Sequence, residues 1–140
     1  MKKLKCIILA GVLIAAILGW YAYSEYNRKP TDLSTVKTET ILDANVLFAA
    51  YTTAESATDS LYLGKIIAVK GKIIKIEKDN QGLNTVLLGT DVEGSFVSCQ
   101  MDQSHNEEAS VLNVGSEIVM KGECTGVLSD VVLTRCVVQK

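Results

Sequence analysis

The sequence predicts a mainly β fold: a small five-stranded barrel preceded by an α-helix, with a short helix between strands 3 and 4 and an N-terminal transmembrane helix set apart from it. The first ground is an apolar, uncharged run near the N-terminus. The second is a stretch of helical apolar spacing after residue 43. The third is a series of five short runs with two-residue alternation, the first of which changes phase part-way along.

Residues Cys6 to Tyr23 carry no charge, and as a helix these eighteen residues rise about 27 Å, close to the ~30 Å hydrocarbon core of a bilayer. Lys2, Lys3 and Lys5 precede the run, which places the N-terminus in the cytoplasm and the remainder outside. Trp20, Tyr21, Tyr23 and Tyr26 cluster at the far end, as an interfacial aromatic belt does. Residues 1–23 therefore read as a membrane anchor or uncleaved signal, with cleavage after a weak Ala22-Tyr23-Ser24 site as the rival. Cys6 lies before the apolar run, on the wrong side for lipid attachment.

Residues 24–41 are polar, contain Pro30 and lack periodicity, so they read as a linker. The folded domain is expected over residues 42–140. Asp43 suits a helix N-cap, and Leu42 and Leu47 stand where a hydrophobic staple would. Leu47, Ala50, Tyr51, Ala54, Thr58 and Leu61 then form one stripe, expected to pack on the barrel.

The first strand, Lys65 to Lys78, places Ile67 and Val69 on one parity and Ile74 and Ile76 on the other. A bulge or bend around Gly71 would let one long strand curl between two sides of a barrel. Asp79 to Gly82 is a turn before a second strand, Asn84 to Leu88. Gly94 to Met101 forms the third, a short helix spans Gln103 to Leu112, and a hairpin joins Glu117–Cys124 to Val131–Val138 across residues 128–130.

Composition limits the function. Of 14 basic residues, 11 lie beyond the apolar run against all 16 acidic ones, so that part carries −5. Non-specific nucleic-acid binding rests on Lys and Arg, which an acidic domain offers sparingly. Catalysis finds little support either. The single histidine, His105, lies among acids in an expected exposed helix, and Glu107-Glu108 and Asp91/Glu93 read as solvated surface. Gly122 to Gly126 lacks the following helix of a phosphate loop. No enzyme, no metal and no cofactor is expected.

Cys99, Cys124 and Cys136 follow the apolar run, and outside the cytoplasm thiols tend to pair. A hairpin centred near Asp130 sets Cys124 opposite Cys136, a bridge that would stabilise by about 3 kcal/mol in the chain-entropy account. Cys99–Cys136 is the alternative pair.

Tyr51, Leu63-Gly64-Lys65, Val69-Lys70-Gly71-Lys72, Val97-Ser98-Cys99, Lys121 to Gly126 and Asp130 to Leu133, followed by Cys136, stand in an order that resembles the tRNA_anti-like family. That family comprises bacterial OB-fold domains, often exported or membrane-attached. The resemblance implies a five-stranded OB-fold barrel whose first three strands build a binding face. Lys70, Lys72, Phe96 and Gln100 are the ligand-binding candidates it suggests. The expected role is a membrane-tethered extracytoplasmic binding or interaction module, without catalysis, for a protein or envelope ligand. Single-stranded nucleic-acid binding and a structural accessory role in a membrane complex are the alternatives. The expected location is a bacterial membrane, through residues 6–23, with the C-terminal domain periplasmic or extracellular.

Overall fold

The computed structural model describes the backbone of residues 2–27, 31–38 and 40–139, and side chains from Gly11 onward within those ranges. Two compact units result, Met1–Thr31 and Asp32–Lys140.

In the first unit, helix α1 spans Lys2–Tyr26. Its side chains from Val12 to Tyr26, including Ile17, Leu18, Trp20 and Tyr23, are exposed. Among the described residues no helix is long and apolar enough to cross a membrane. The span expected over residues 6–23 begins among residues whose side chains lie outside the described set.

The second unit is a closed barrel with additions. Strand β1 (Ile41–Asp43) leads into helix α2 (Ala44–Tyr62), then β2 (Ile66–Lys78), β3 (Asn84–Gly89), β4 (Phe96–Met101), a 3₁₀ helix (Gln103–Val111), β5 (Glu117–Val127) and β6 (Val131–Val138). The sheet runs β1-β2-β3-β4-β6-β5 and closes through β2–β5. Within it, β4 and β6 are parallel and the other barrel pairs antiparallel. Five strands in this circular order, with a long first strand shared between two neighbours, constitute an OB barrel.

The strand β2 makes closure possible. Ile66 to Lys72 pair with β5 and Ile73 to Lys78 with β3. The phase change occurs at Ile74, between the Ile73 and Lys75 pairings, and not at Gly71. Ile67, Val69 and Ile73 face the core before the bulge, and Ile76 packs against it afterwards. Gly71 keeps regular pairing with Ile118. Its role is space: a Cβ there would sit 3.1 Å from both Ala44 Cβ and Leu88 Cβ. The glycine admits the start of α2, and an extra residue bends the strand.

The Asp43 cap forms as expected, its side chain accepting from Asn45 N at 2.9 Å. Helix α2 then buries Leu47, Phe48, Tyr51 and Thr58. The expected stripe fails at Ala54, which is exposed, and at Leu61, which is 58% exposed. The reason is a kink at Ala54, φ −153° and ψ 71°, which re-aims the last turns.

The segment expected to be linker behaves differently over its second half. Asp32 caps a 3₁₀ turn at Leu33–Thr35, and Leu33 is buried. That turn lies against β5 and β6, and β1 pairs in parallel with Ala68, Val69 and Lys70 of β2. A sequence-local reading sees only a polar stretch here, because the surface that buries Leu33 comes from strands about ninety residues later.

Cys99, Cys124 and Cys136 are free and buried. The β5–β6 ladder sets Cys124 opposite Leu133, not Cys136, because register shifts break the pairing on both sides of Glu123–Cys124. Cys124 Sγ instead meets Tyr51 Oη at 3.3 Å. The expected Cys124–Cys136 bridge is therefore corrected. Cys136 lies beside Cys99, and burial first, then that neighbouring thiol, pushes the Cys136 thiol well above its ordinary range.

Candidate functional site

The outer face of β2–β3–β4 follows from alternation. Val86, Leu88, Val97, Cys99 and Met101 point into the core, so Thr85, Leu87, Phe96, Ser98 and Gln100 take the other side, half-buried. Pairing then builds rungs across the three strands. Lys75, Leu87 and Ser98 form one, and Glu77, Thr85 and Gln100 the next. At the other end Phe96 stands opposite Gly89. Ile74, the bulged residue, packs over that glycine: a Cβ on Gly89 would lie 2.5 Å from Ile74 Cγ1. Ile74 is itself 45% exposed, so the face carries an apolar centre rimmed by polar groups.

The four expected site residues do not all meet. Phe96 and Gln100 share the outer face of β4, at opposite ends. Lys72 lies next to this face, its carbonyl 3.8 Å from the position a Cβ on Gly89 would take. Lys70 stands apart, where β2 pairs with β1 and β5, and forms an ion pair with Glu117 at 3.3 Å. Lys75 is paired with Glu77 on its own strand at 2.5 Å. Two of the basic groups in this region are thus matched by carboxylates. The hairpin between β5 and β6 adjoins the face, since Phe96 N donates to Asp130 Oδ1 at 3.1 Å.

A second constellation lies on the opposite wall, where the Asp32–Thr38 strap crosses β5 and β6. Ala68, Lys121 and Val137 form one rung across β2, β5 and β6, and all three are buried although they point away from the barrel interior. Lys121 Nζ donates to Ser34 O at 3.2 Å and Val36 O at 2.7 Å, which satisfies a buried ammonium with main-chain acceptors. His105, expected on an exposed helix, is only 19% exposed at its side chain. It stands between Asp32 Oδ1, 3.1 Å from Nε2, and Glu108 Oε1, 3.0 Å from Nδ1. A polar cavity of about 600 Å³ runs between the strap, His105, Lys121 and the end of β6. In its wall Thr38 Oγ1 and Gln139 Oε1 are buried without a hydrogen-bond partner among the described residues. The sequence held no sign of this wall. Lys121 alternates with Met120 and Gly122 as an outward lysine should, and only the strap makes it interior.

The tRNA_anti-like family matches residues 1–138. The chain belongs to that family. The match extends beyond the Tyr51-to-Cys136 stretch on which the resemblance was read, and takes in the strap and α2. Among solved structures, a lipoprotein of Klebsiella pneumoniae proposed to bind nucleic acid shares the fold. It is 19% identical, with a TM-score of 0.63, over 80% of this chain and all of that one. No curated protein matches. In this tRNA_anti-like chain the outer face of β2–β4 carries the Lys75–Glu77 charge pair described above.

Proposed function

We propose that this chain is a non-catalytic binding module whose OB domain holds a protein or envelope ligand on the outer face of β2–β4. The observation that carries the reading is the composition of that face. Ile74, Leu87 and Phe96 offer apolar contact, Ser98, Gln100 and Thr85 offer hydrogen bonds, and Lys75 is neutralised by Glu77. Such a mixture suits a protein surface, where an apolar centre is ringed by polar groups. Single-strand binders instead combine a continuous basic groove with several stacking aromatics. Here Phe96 is the one aromatic on the barrel strands.

The second reading, single-stranded nucleic acid on the same face, is favoured by Lys72, whose carbonyl adjoins Gly89, the residue opposite Phe96, and by the description of the Klebsiella neighbour. Titration of labelled oligonucleotides against the full chain, at about 50 and about 200 mM salt, separates the two. The proposal expects no saturable binding at either. Binding that weakens steeply with salt, and disappears in K72E, replaces it with the nucleic-acid reading. A photo-crosslinking residue at Gln100 gives the positive test in cells: adducts should form there and not from Ser129 at the hairpin tip. Equal labelling at both positions argues against the face.

The proposal includes attachment to a membrane through residues 6–23, with the domain outside the cytoplasm. What supports it is the 25-residue α1 and its exposed Val12, Leu13, Ile14, Ile17 and Leu18. Carbonate-washed membranes should retain the full chain and lose a variant without residues 1–23. Recovery of the full chain in the soluble fraction excludes the anchor.

A further inference from the structure

The strap is fastened to the barrel at three places: burial of Leu33, the Lys121 ammonium on two strap carbonyls, and His105 between Asp32 and Glu108. We infer that the Asp32–His105–Glu108 bridge is a pH-operated latch, which holds the strap over β5 and β6 when His105 is protonated and loosens it when His105 is neutral. The latch is independent of which ligand the opposite face takes.

The chemistry of imidazole carries the argument. Both ring nitrogens face carboxylate oxygens, at 3.1 and 3.0 Å. Only the imidazolium can donate at both; the neutral ring keeps one N–H and turns a lone pair toward the other carboxylate. Deprotonation therefore removes one charge-assisted bond and sets two acceptors face to face. Asp32 is the more consequential partner, because its Oδ1 also caps the strap turn, accepting from Ser34 N at 2.8 Å. Any loosening on the Asp32 side reaches the turn directly.

The ionisation equilibria agree in sign. The Glu108 hydrogen bond, opposed by desolvation and helped by Asp32, raises His105 above its ordinary 6.5. Hydrogen bonds from Ser34, and then the bond and charge of His105, lower the Asp32 carboxyl. A raised histidine contributes its full stabilisation below about 6.5 and loses it as pH rises through the folded-state value. Among the described residues, the cavity wall also carries Lys37 and Lys121, and Asp102 stands at the N-cap of His105's own 3₁₀ helix. Asp102 faces Arg135 at 3.8 Å, and Arg135 faces Glu123 at 3.6 Å. His105 is the sole histidine of the sequence, the side-chain type whose ordinary charge change falls between about pH 5 and 8.

The test is amide hydrogen exchange of Ser34 and Val36 in the full chain at about pH 5 and about pH 8, corrected for the intrinsic rate, with NMR titration of the His105 ring. The latch requires a ring midpoint above 6.5 and a fall in strap protection of about five- to tenfold at the higher pH, while β3 amides are unchanged. D32N and E108Q should each lower the midpoint, and H105Q should leave strap protection flat with pH. Equal protection at both pH values in the wild type overturns the latch. A pH response that survives in H105Q does so as well.

Discussion

Gly122 shows how much a single position can owe to contacts made far along the chain. A Cβ there would overlap Cys136 Sγ and stand 3.0 Å from Thr134 O and 3.3 Å from Leu133 Cβ. One of these atoms is backbone, and Cys136 is fully buried, so the neighbours have little room to give. G122A should destabilise the domain by about 1–3 kcal/mol, seen as a lower denaturation midpoint at unchanged slope. No change in midpoint would mean that the β5–β6 contact is looser than the structure has it. Tyr51 and Cys124 are coupled at the same scale. Burial first, then the Cys124 thiol and Asp59, push the Tyr51 phenol up, so it stays a neutral donor or acceptor inside the core. The spacing of Tyr51 on a helix was legible in the sequence, and so was its packing on the barrel. Its thiol partner, 73 residues away, was not.

At the scale of elements, two irregularities decide where side chains point. The Thr58 hydroxyl spans the Ala54 kink, reaching Ala50 O and Ala54 O at 2.9 Å each. Thr58 is 4% exposed, so its loss would strand a carbonyl in a site with little access to water. T58V should cost about 1–2 kcal/mol, whereas T58S, which keeps the hydroxyl, should cost less. Equal loss in both variants would assign the effect to packing and not to the bridge. Sequence periodicity registered Thr58 as one more member of a stripe, because spacing carries no information on a break in the ladder. The bulge in β2 was half legible. Alternating isoleucines revealed that the phase changes, while the glycine that drew attention to residue 71 serves close approach and the extra residue is Ile74.

For the whole molecule the strap is the feature that matters most. It converts an outward-facing lysine into an interior one, and Lys121 in turn holds the strap through Ser34 O and Val36 O. Methionine in its place keeps most of the packing volume and removes the donors. K121M should therefore weaken protection of the strap by roughly five- to tenfold, with the barrel strands intact. This effect should persist at acidic pH, where the His105 bridge remains formed, which separates the two fastenings. If K121M leaves the strap amides unaffected, the ammonium is a passenger, and burial of Leu33 together with the His105 bridge suffices.

The sequence by itself determined the order of the five barrel strands and the helix before them, the cap of that helix and the apolar run near the N-terminus. Each of these is written in local spacing and composition, where neighbours along the chain share one environment. It also carried enough ordered motif to place the chain in its family. The tertiary structure alone decided the thiol arrangement, the bulge position, which lysines are neutralised, and the folding of residues 32–43 onto the domain. Those outcomes depend on strand register and on surfaces brought together from distant segments. Leu33, Lys121 and His105 look unrelated in the sequence, and only a closed barrel gathers them at one wall.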